Sequence, residues 1–561
     1  MAQAVKSDSS KWWQTGVIYQ IYPLTFADGN GDGIGDLPGI INKLDYLNDG
    51  NPNSETSLGV DAIWLSPINE SPMIDNGYDI SDYYGISDTF GNFKDFETLI
   101  KESHKRGIKV ILDLVVNHTS NQHSWFLESS SSQDNPKSDW YHWQDPSPDG
   151  GVPNNWLSYF GGTGWTFNQT RQQYYYHTFN TIQPDLNWRN PEVQEAVYQV
   201  IRFWLDQGVD GFRLDASSVY SKDEYYRFNP VKFGATDKNN YHNQSHLYDK
   251  NLPENHYIIR AIRKIIDEYD ERVLIGETFI DNRIYDSTIF YGVNNDELHL
   301  AFTFEFPFSP WYPGNLQREI AKKELITPQG AWPTYFIDNH DLPRHLSRWN
   351  ECSLCSNELG IAQAAAAILL TVRGTPVVYY GQEIGMVDNL DIPPEKLKDH
   401  ATVKSATGEL PPPRDGGRTP MQWDDTVNAG FSFGKDTEPW LPVNQNYQEV
   451  NVAKQLKDQK SILNFYRQLI KARKNSEALR VGSWKTLIHY PYEHLAYLRE
   501  TQAEKVLIII NFAYEKDLVL DEYIPRESWQ VLVSNVWGAD KIIDLPSTLQ
   551  PFEVSVLKKE T

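Results

Sequence analysis

The sequence predicts an α/β fold: a (β/α)8 TIM barrel with a subdomain inserted after its third strand and a C-terminal antiparallel β-sandwich. Three observations support this prediction. Short apolar runs alternate with amphipathic helical patterns, eight such runs occur, and the pattern changes to successive strands after about residue 481. Alternating strands and helices are typical of a parallel sheet, and eight strands favour a closed barrel.

The eight candidate strands are nearly continuous in apolar character, as expected for strands buried on both faces. They are Val17–Tyr22, Ala62–Ser66, Val110–Val115, Phe212–Leu214, Val273–Gly276, Phe302–Phe306, Tyr335–Ile337 and Val377–Tyr380. Helical patterns between them cover Phe93–Arg106, Pro191–Gln207 and Tyr257–Tyr269.

Two long segments interrupt the alternation. The first, 118–187, is rich in Trp, Gly, Asn and Ser, and an interruption of that length usually forms a functional insertion. The second, about 386–434, follows the eighth strand and is rich in Pro, Gly and Asp. The sequence therefore predicts a barrel at 1–117 and 188–480, an inserted subdomain at 118–187 and an all-β domain at 481–561.

Composition and charge restrict the partners. The net charge of −24 disfavours nucleic acid and anionic membranes, because both attract basic surfaces. Two cysteines, Cys352 and Cys355, are too few for a disulfide framework and are either ordinary thiols or a reversible disulfide. With no membrane-length apolar run and no signal-peptide pattern at the N-terminus, we expect a cytoplasmic monomer or homodimer that acts on a small molecule.

Charged and polar side chains cluster where predicted strands end. They are Asp113 and His118 at the end of strand three, Arg213 and Asp215 at strand four, Glu277 at strand five, His340 and Asp341 after strand seven, and the Tyr78-Asp79 pair after strand two. The carboxyl ends of barrel strands meet at one face, where such enzymes keep their active sites. Because like charges repel, a protein keeps such a cluster only if it is compensated or useful.

Glycosyl transfer is the chemistry that uses such a cluster. One carboxylate attacks the anomeric carbon, a second carboxylic acid protonates the leaving oxygen, and a third carboxylate stabilises the cationic sugar ring. His118 and His340 are suited to donating hydrogen bonds to sugar hydroxyls. Arg213, two residues before Asp215 on the same strand face, is expected to lower the pKa of Asp215.

Four motifs occur in a family's order at these strand ends. Asp113–His118, Gly211–Asp215, Gly276–Thr278 and Asn339–Asp341 resemble the signature regions of the α-amylase superfamily of glycoside hydrolases. The resemblance implies that Asp215 is the nucleophile, Glu277 the general acid/base and Asp341 the transition-state stabiliser. It also implies sugar-binding roles for Tyr78, Asp79, His118, Arg213, His340 and Arg418.

Two further segments resemble the oligo-1,6-glucosidase and α-glucosidase branch of that superfamily: Gln183–Trp188 and Gly417–Trp423. In that branch the arginine matching Arg418 pairs with the aspartate matching Asp79 and closes the pocket behind the terminal glucose. The resemblance therefore implies a retaining, exo-acting α-glucosidase. Ala216 stands where oligo-1,6-glucosidases usually have Val, which favours maltose-like α-1,4 links or broader specificity, with sucrose also open.

Other functions remain possible on the same scaffold. A glucosyltransferase or a sucrose isomerase would use the same covalent intermediate, although Leu342–Arg348 lacks the arginine-dense stretch typical of sucrose isomerases. A long-chain amylase is disfavoured by the Arg418 segment. A non-catalytic sugar-binding or transporter-associated homologue is also disfavoured, because such relatives lose catalytic residues and carry a membrane segment.

One loop has the spacing of a metal site. Oxygen ligands would come from Asp28, Asn30, Asp32, Ile34 and Asp36, around a tight Gly turn that resembles part of a calcium-binding loop. Position twelve of that loop would be Gly39 rather than a bidentate Glu, so the site would be structural. A metal ion is expected, Ca²⁺ with Mg²⁺ as the alternative ion. The competing interpretation is a polar turn without metal, and no organic cofactor is expected.

Overall fold

The structure is a computed structural model. It describes residues 10–234, 241–278, 287–349, 357–399, 414–434, 437–488, 492–513, 518–519, 524 and 527–560. Cys352 and Cys355 lie outside these ranges.

Eight parallel strands form the central sheet. They are β1 (Ile18–Ile21), β2 (Ala62–Leu65), β3 (Lys109–Leu114), β4 (Gly211–Leu214), β5 (Val273–Glu277), β6 (Leu300–Phe302), β7 (Thr334–Phe336) and β8 (Thr375–Tyr379). Hydrogen-bonded neighbours follow the order β6-β5-β4-β3-β2-β1-β8-β7, and the two end strands contact each other, so the sheet wraps into a barrel. The predicted barrel is confirmed.

The sixth strand differs from its predicted position. The sequence predicted Phe302–Phe306, whereas β6 ends at Phe302 and a turn follows. Phe304 and Phe306 nevertheless pack against hydrophobic clusters from within that turn. Because Phe302, Phe304 and Phe306 alternate with polar residues, the sequence pattern is that of a strand although the chain turns here.

The barrel interior is filled by inward-facing side chains. Ile18, Trp64, Ile275 and Phe336 belong to one buried cluster there, as in other closed barrels. Every second residue of a strand points inward, so Gln20 faces the same side as Ile18, nearer the carboxyl end of β1.

Helices surround the sheet. The longer ones are Phe93–Lys105, Ser124–Ser131, Pro191–Asp206, Glu254–Ile266, Pro313–Ile326, Glu358–Thr371 and Ile462–Asn475. The shorter ones are Trp12–Thr15, Pro23–Phe26, Leu37–Asn42, Leu44–Leu47, His345–Trp349, Val452–Lys457 and Glu477–Val481. Side chains of Asn92 and Asn190 cap the first turns of the helices that follow them. Within the described ranges, no helix has both the length and the apolarity to cross a membrane.

The segment predicted as an insertion carries a small antiparallel sheet. Its strands are Trp143–Gln144, Trp165–Asn168 and Gln173–Tyr176, with the last in the middle. A fully buried ion pair, Lys222 Nζ to Asp185 Oδ2 at 2.9 Å, joins the end of this segment to the loop after β4. The insertion is thereby tied to the strand that carries Asp215.

The C-terminal part is antiparallel. A six-stranded sheet contains Ser483–Thr486, His494–Glu500, Glu504–Asn511, Ser528–Ser534, Ile542–Asp544 and Val554–Glu560, and a two-stranded sheet pairs Leu518–Val519 with Thr548–Leu549. On the long strand, Ile508 packs into the same core as the barrel helices, while Leu507 packs into a second cluster with Leu549. The predicted sandwich is confirmed, with one face of its larger sheet on the barrel.

Candidate active site

Arg213 occupies the centre of the site. It lies on β4, and 1% of its side chain is exposed. Its Nη1 donates to Asp113 Oδ1 at 2.8 Å and to Asp215 Oδ1 at 2.7 Å, and its Nη2 lies 2.8 Å from Glu277 Oε2. These contacts are possible because β3, β4 and β5 are neighbours in the sheet. One guanidinium therefore holds the two predicted catalytic carboxylates side by side, and a short separation of about 5–5.5 Å is typical of retaining glycosidases.

The protonation of the two carboxyl groups differs from the sequence-based prediction. Arg213 was expected to lower the pKa of Asp215. Burial instead raises that pKa to about 7, and the charges of Asp113 and Asp341 add to burial while Arg213 opposes it. Burial also raises the pKa of Glu277 to about 7. Because these carboxyl groups share one positive charge, they titrate as a unit, and the site retains a proton near neutral pH.

Asp341 lies among arginines on the other side of the pocket. Its Oδ1 accepts hydrogen bonds from Arg414 Nη1 at 2.8 Å and from Arg418 Nη2 at 3.0 Å. Burial raises the pKa of the Asp341 carboxyl, but its contacts with His340, Arg414 and Arg418 outweigh burial and hold the pKa below its usual range. Asp341 is therefore a fixed negative charge, as a stabiliser of a cationic transition state should be.

Tyr78 and His340 connect these two groups of charges. The Tyr78 hydroxyl donates to Asp113 Oδ2 at 3.1 Å and lies 2.6 Å from His340 Nε2, and the two rings are parallel with centroids 5.3 Å apart. His118 is bound to the same turn, because its Nε2 donates to the backbone oxygen of Tyr78 at 3.0 Å. The structure thus brings all three into one hydrogen-bonded group.

Asp79 lies outside this group. Its carboxylate accepts from the Ser71 hydroxyl and from the backbone N–H groups of Ile74 and Asp75, and burial raises its pKa to about 6. The structure records contacts of Arg418 with Asp341 and with the His340 backbone oxygen rather than the implied pairing with Asp79. Asp79 therefore stabilises its own turn in this conformation.

Asp75 and Arg414 also belong to this site, although no sequence motif pointed to them. Asp75 accepts from the Gln183 amide at 2.8 Å and lies 3.5 Å from Arg414 Nη2. Arg414 also contacts Asp399, which is fully buried. The signal was present, since Asp75 and Asp79 flank the same Gly77 turn. Only the path of that turn decides which carboxylate faces the arginines.

The backbone turns sharply directly after the nucleophile candidate. Ala216 has φ of +46°, in the left-handed region that non-glycine residues seldom adopt. In this conformation its N–H donates to Glu277 Oε2 at 3.0 Å. The strained turn thus places a donor on the acid/base candidate, and strain of this kind clusters at functional sites.

Aromatic side chains of the insertion lie beside these charged groups. The Phe179 ring packs edge-on against His118 with centroids 5.4 Å apart. The guanidinium of Arg414 lies 5.6 Å from the centre of the Phe160 ring. Phe160 and Phe179 also contact each other. These rings provide an apolar wall beside the charged groups, as expected for a pocket that binds the faces of sugars.

The proposed metal loop is held by its own backbone. Asp28 accepts from the N–H groups of Asn30, Gly31 and Gly33, and Ile34 N–H donates to Asp32. Within the described ranges, no three acidic, His or Cys side chains converge as metal ligands.

One atom of this loop nevertheless fits a cation. Asp36 Oδ2 is buried without a hydrogen-bond partner, and burial, with the nearby charges of Asp28 and Asp32, raises the pKa of Asp36. Crowded carboxylates with a free oxygen match the donors that hard cations prefer.

The chain is similar to known glycoside hydrolases along nearly its whole length. Residues 20–482 match the family described as alpha amylase, catalytic domain. The chain is 38% identical to an oligo-1,6-glucosidase of Heyndrickxia coagulans, covering 94% of this chain and 96% of that one. It is 40% identical to a probable alpha-glucosidase of Rhizobium meliloti, covering 92% of each.

The fold is also similar to that of a solved structure. An isomaltulose synthase of Erwinia rhapontici, determined with its natural substrate sucrose, superposes with a TM-score of 0.85 at 34% identity, covering 98% of this chain and all of the other. The family match, the nearly full-length relatives and the arrangement around Arg213 agree with one another. The chain belongs to the α-amylase family of glycoside hydrolases.

Proposed function

We propose that this glycoside hydrolase is a retaining, exo-acting α-glucosidase that releases glucose from the non-reducing end of short α-glucosides. The observation that carries the proposal is the contact of both Asp215 and Glu277 with the Arg213 guanidinium, which leaves the two carboxyl groups adjacent. Adjacent carboxyl groups favour direct attack by one of them over attack by an intervening water.

The reaction follows from these positions. Asp215 attacks the anomeric carbon while Glu277 gives its proton to the leaving oxygen, which produces a glucosyl ester on Asp215. Glu277, now ionised, takes a proton from water, and that water displaces Asp215 with the original anomeric configuration restored. Asp341 stabilises the positive charge that develops on the ring. For ester formation, the proton that the site retains near neutral pH must be on Glu277, while Asp215 is ionised.

The ion pairs around Asp341 support exo action. Arg414 and Arg418 both contact Asp341, and Arg414 also reaches Asp75, so charged side chains link the end of strand β7 to the loop after strand β2. Phe160 packs on Arg414 from the insertion. A chain of many sugars needs an open groove, whereas this arrangement suits one terminal glucose.

A glucosyltransferase or sucrose isomerase is the second candidate. The similarity to an isomaltulose synthase along nearly the whole chain favours it. Both enzymes would form the same ester on Asp215, and they differ in whether water or a sugar intercepts it. Product analysis therefore separates them.

The function is tested by following products from maltose, isomaltose, sucrose, trehalose, soluble starch and p-nitrophenyl α-glucoside. We expect fast release of glucose from maltose or sucrose and little release from starch. The α-anomer of glucose should be the first product seen by NMR. New oligosaccharides or a sucrose isomer as main product would assign the transferase or isomerase function, and β-glucose would exclude retention.

The same set of substrates tests whether Ala216 determines the linkage preference. We expect Ala216→Val to lower the preference for maltose over isomaltose by about tenfold, because one or two added methyl groups in a pocket change discrimination by about that much. Ala216→Gly is the matched control, since it relaxes the left-handed backbone without adding bulk. An unchanged ratio in Ala216→Val would remove this residue from the account of linkage preference.

The raised pKa of Glu277 predicts the pH dependence. An acid must be protonated to act, so kcat/KM for maltose should fall as pH rises through about 7. With p-nitrophenyl α-glucoside, whose leaving group needs little protonation, Glu277→Gln should retain far more of its kcat/KM than with maltose and lose the alkaline decline. An alkaline decline centred near the ordinary pKa of a glutamic acid would contradict the role of burial.

We also propose that the loop with Asp28, Asn30, Asp32, Ile34 and Asp36 binds a structural Ca²⁺. Support comes from the spacing of its oxygen donors and from the unpartnered Asp36 oxygen. We expect Ca²⁺ to raise the melting temperature of protein treated with EDTA, and Mg²⁺ to do so less, because a ligand of the folded state stabilises it. Asp36→Asn should lose this response while Asp88→Asn, an exposed control, keeps it. Equal melting temperatures with Ca²⁺ and with EDTA would refute the site.

A further inference from the structure

Gln20 is a buried polar residue without an evident packing role. It lies on β1 with its side chain fully buried, and its Nε2 lies 2.8 Å from His340 Nδ1. Its Oε1 is buried without a hydrogen-bond partner. Leaving a buried amide oxygen unpaired destabilises the folded state, so an apolar residue of similar size would suit the fold better. The presence of Gln20 at this position is therefore explained by the hydrogen bond of its amide nitrogen with His340.

The contacts of His340 determine where its proton lies. Its Nε2 lies 2.6 Å from the Tyr78 hydroxyl oxygen, whose own proton is donated to Asp113, and 3.2 Å from the acceptor-only Asp341 carboxylate. Nε2 therefore carries a proton. Burial lowers the pKa of His340 to about 3, which keeps the ring neutral. Its Nδ1 is then a bare acceptor, and the Gln20 N–H is the matching donor. The proton on Nε2 is read from Tyr78 and Asp341 and not from the orientation of the Gln20 amide, and the Gln20 donor at Nδ1 adds to the preference for this tautomer.

We propose that Gln20 is a positioning residue that fixes the Nε2–H tautomer of His340. In the opposite tautomer a lone pair on Nε2 would face the Asp341 carboxylate, and the two would repel. With Gln20 in place, the His340 N–H is donated to the Tyr78 oxygen, beside the Asp341 carboxylate. This role rests on the proposed function, because it matters when Asp341 stabilises charge on a bound sugar.

Other groups around His340 also affect the position and the pKa of its ring. Tyr22 and Tyr78 stack on the ring, and Trp64 meets it edge-on. Arg418 donates to the His340 backbone oxygen. Asp341 raises the pKa of His340, whereas Arg418, Arg213 and Arg414 lower it. Gln20 is uncharged, so its substitution by Met tests the hydrogen bond without changing these charges.

The test compares Gln20→Met and Gln20→Glu with wild type by ¹⁵N NMR of histidine-labelled protein, with His340→Asn identifying the signals. Wild type should show an unprotonated Nδ1 and a protonated Nε2. Gln20→Met should give a mixture of tautomers and lower kcat by about tenfold or more, with KM changed by less than about threefold, as for other residues that orient a functional imidazole. Gln20→Glu, which offers an acceptor, should protonate Nδ1.

Gln382→Met is the matched control. Gln382 is equally buried, but its amide is satisfied by Tyr466 and by the backbone of Tyr379. Its loss should lower the melting temperature more than Gln20→Met does and leave the His340 signals unchanged. Unchanged His340 signals in Gln20→Met, or Nδ1–H in wild type, would overturn the proposal. These signals need no turnover, so a wild-type protein inactive on every substrate would refute the proposed function without deciding this inference.

Discussion

The contact of one buried guanidinium with three carboxylates is the constraint on which the site depends. Asp113, Asp215 and Glu277 come from three adjacent strands, and each reaches Arg213. Without that charge, the carboxylates would repel one another in a medium that screens them poorly, and breaking a buried ion pair typically costs about 3–5 kcal/mol. The barrel makes the cluster geometrically possible, and Arg213 makes it electrostatically tolerable. The same competition between burial and charge keeps a proton in the pocket near neutral pH.

The site combines a part built on strands with a part built on loops. Asp113 and Glu277 lie on strands and Asp215 directly follows one, so the sheet holds the spacing of the proposed catalytic carboxylates. Loops carry Asp341 with its arginines, and the turn that presents Tyr78 and Asp75. Differences in substrate among relatives that share the barrel are expected in the loop part, because loops vary while strand ends keep the chemistry.

Much of the fold and most of the candidate site could be predicted because they depend on regular periodicity. Buried parallel strands are continuous apolar runs, and their ends converge, so Arg213, Asp215 and Glu277 could be grouped from the sequence. The path of the turn at Gly77, where φ is +103°, could not be predicted from the sequence. This path makes Asp75, and not Asp79, face the arginines. The pKa of Asp215 was also wrong in direction, because a sequence displays the arginine but not the extent of burial.

The most direct test of the account is to trap the intermediate. A slowly hydrolysed fluorinated α-glucosyl fluoride should label the enzyme once, and mass spectrometry of peptides should place the sugar on Asp215. Asp215→Asn should remain unlabelled while keeping its fold by circular dichroism. A label on Glu277 or Asp341, or continued turnover by Asp215→Asn, would contradict the assignment of the Arg213-bound carboxylates.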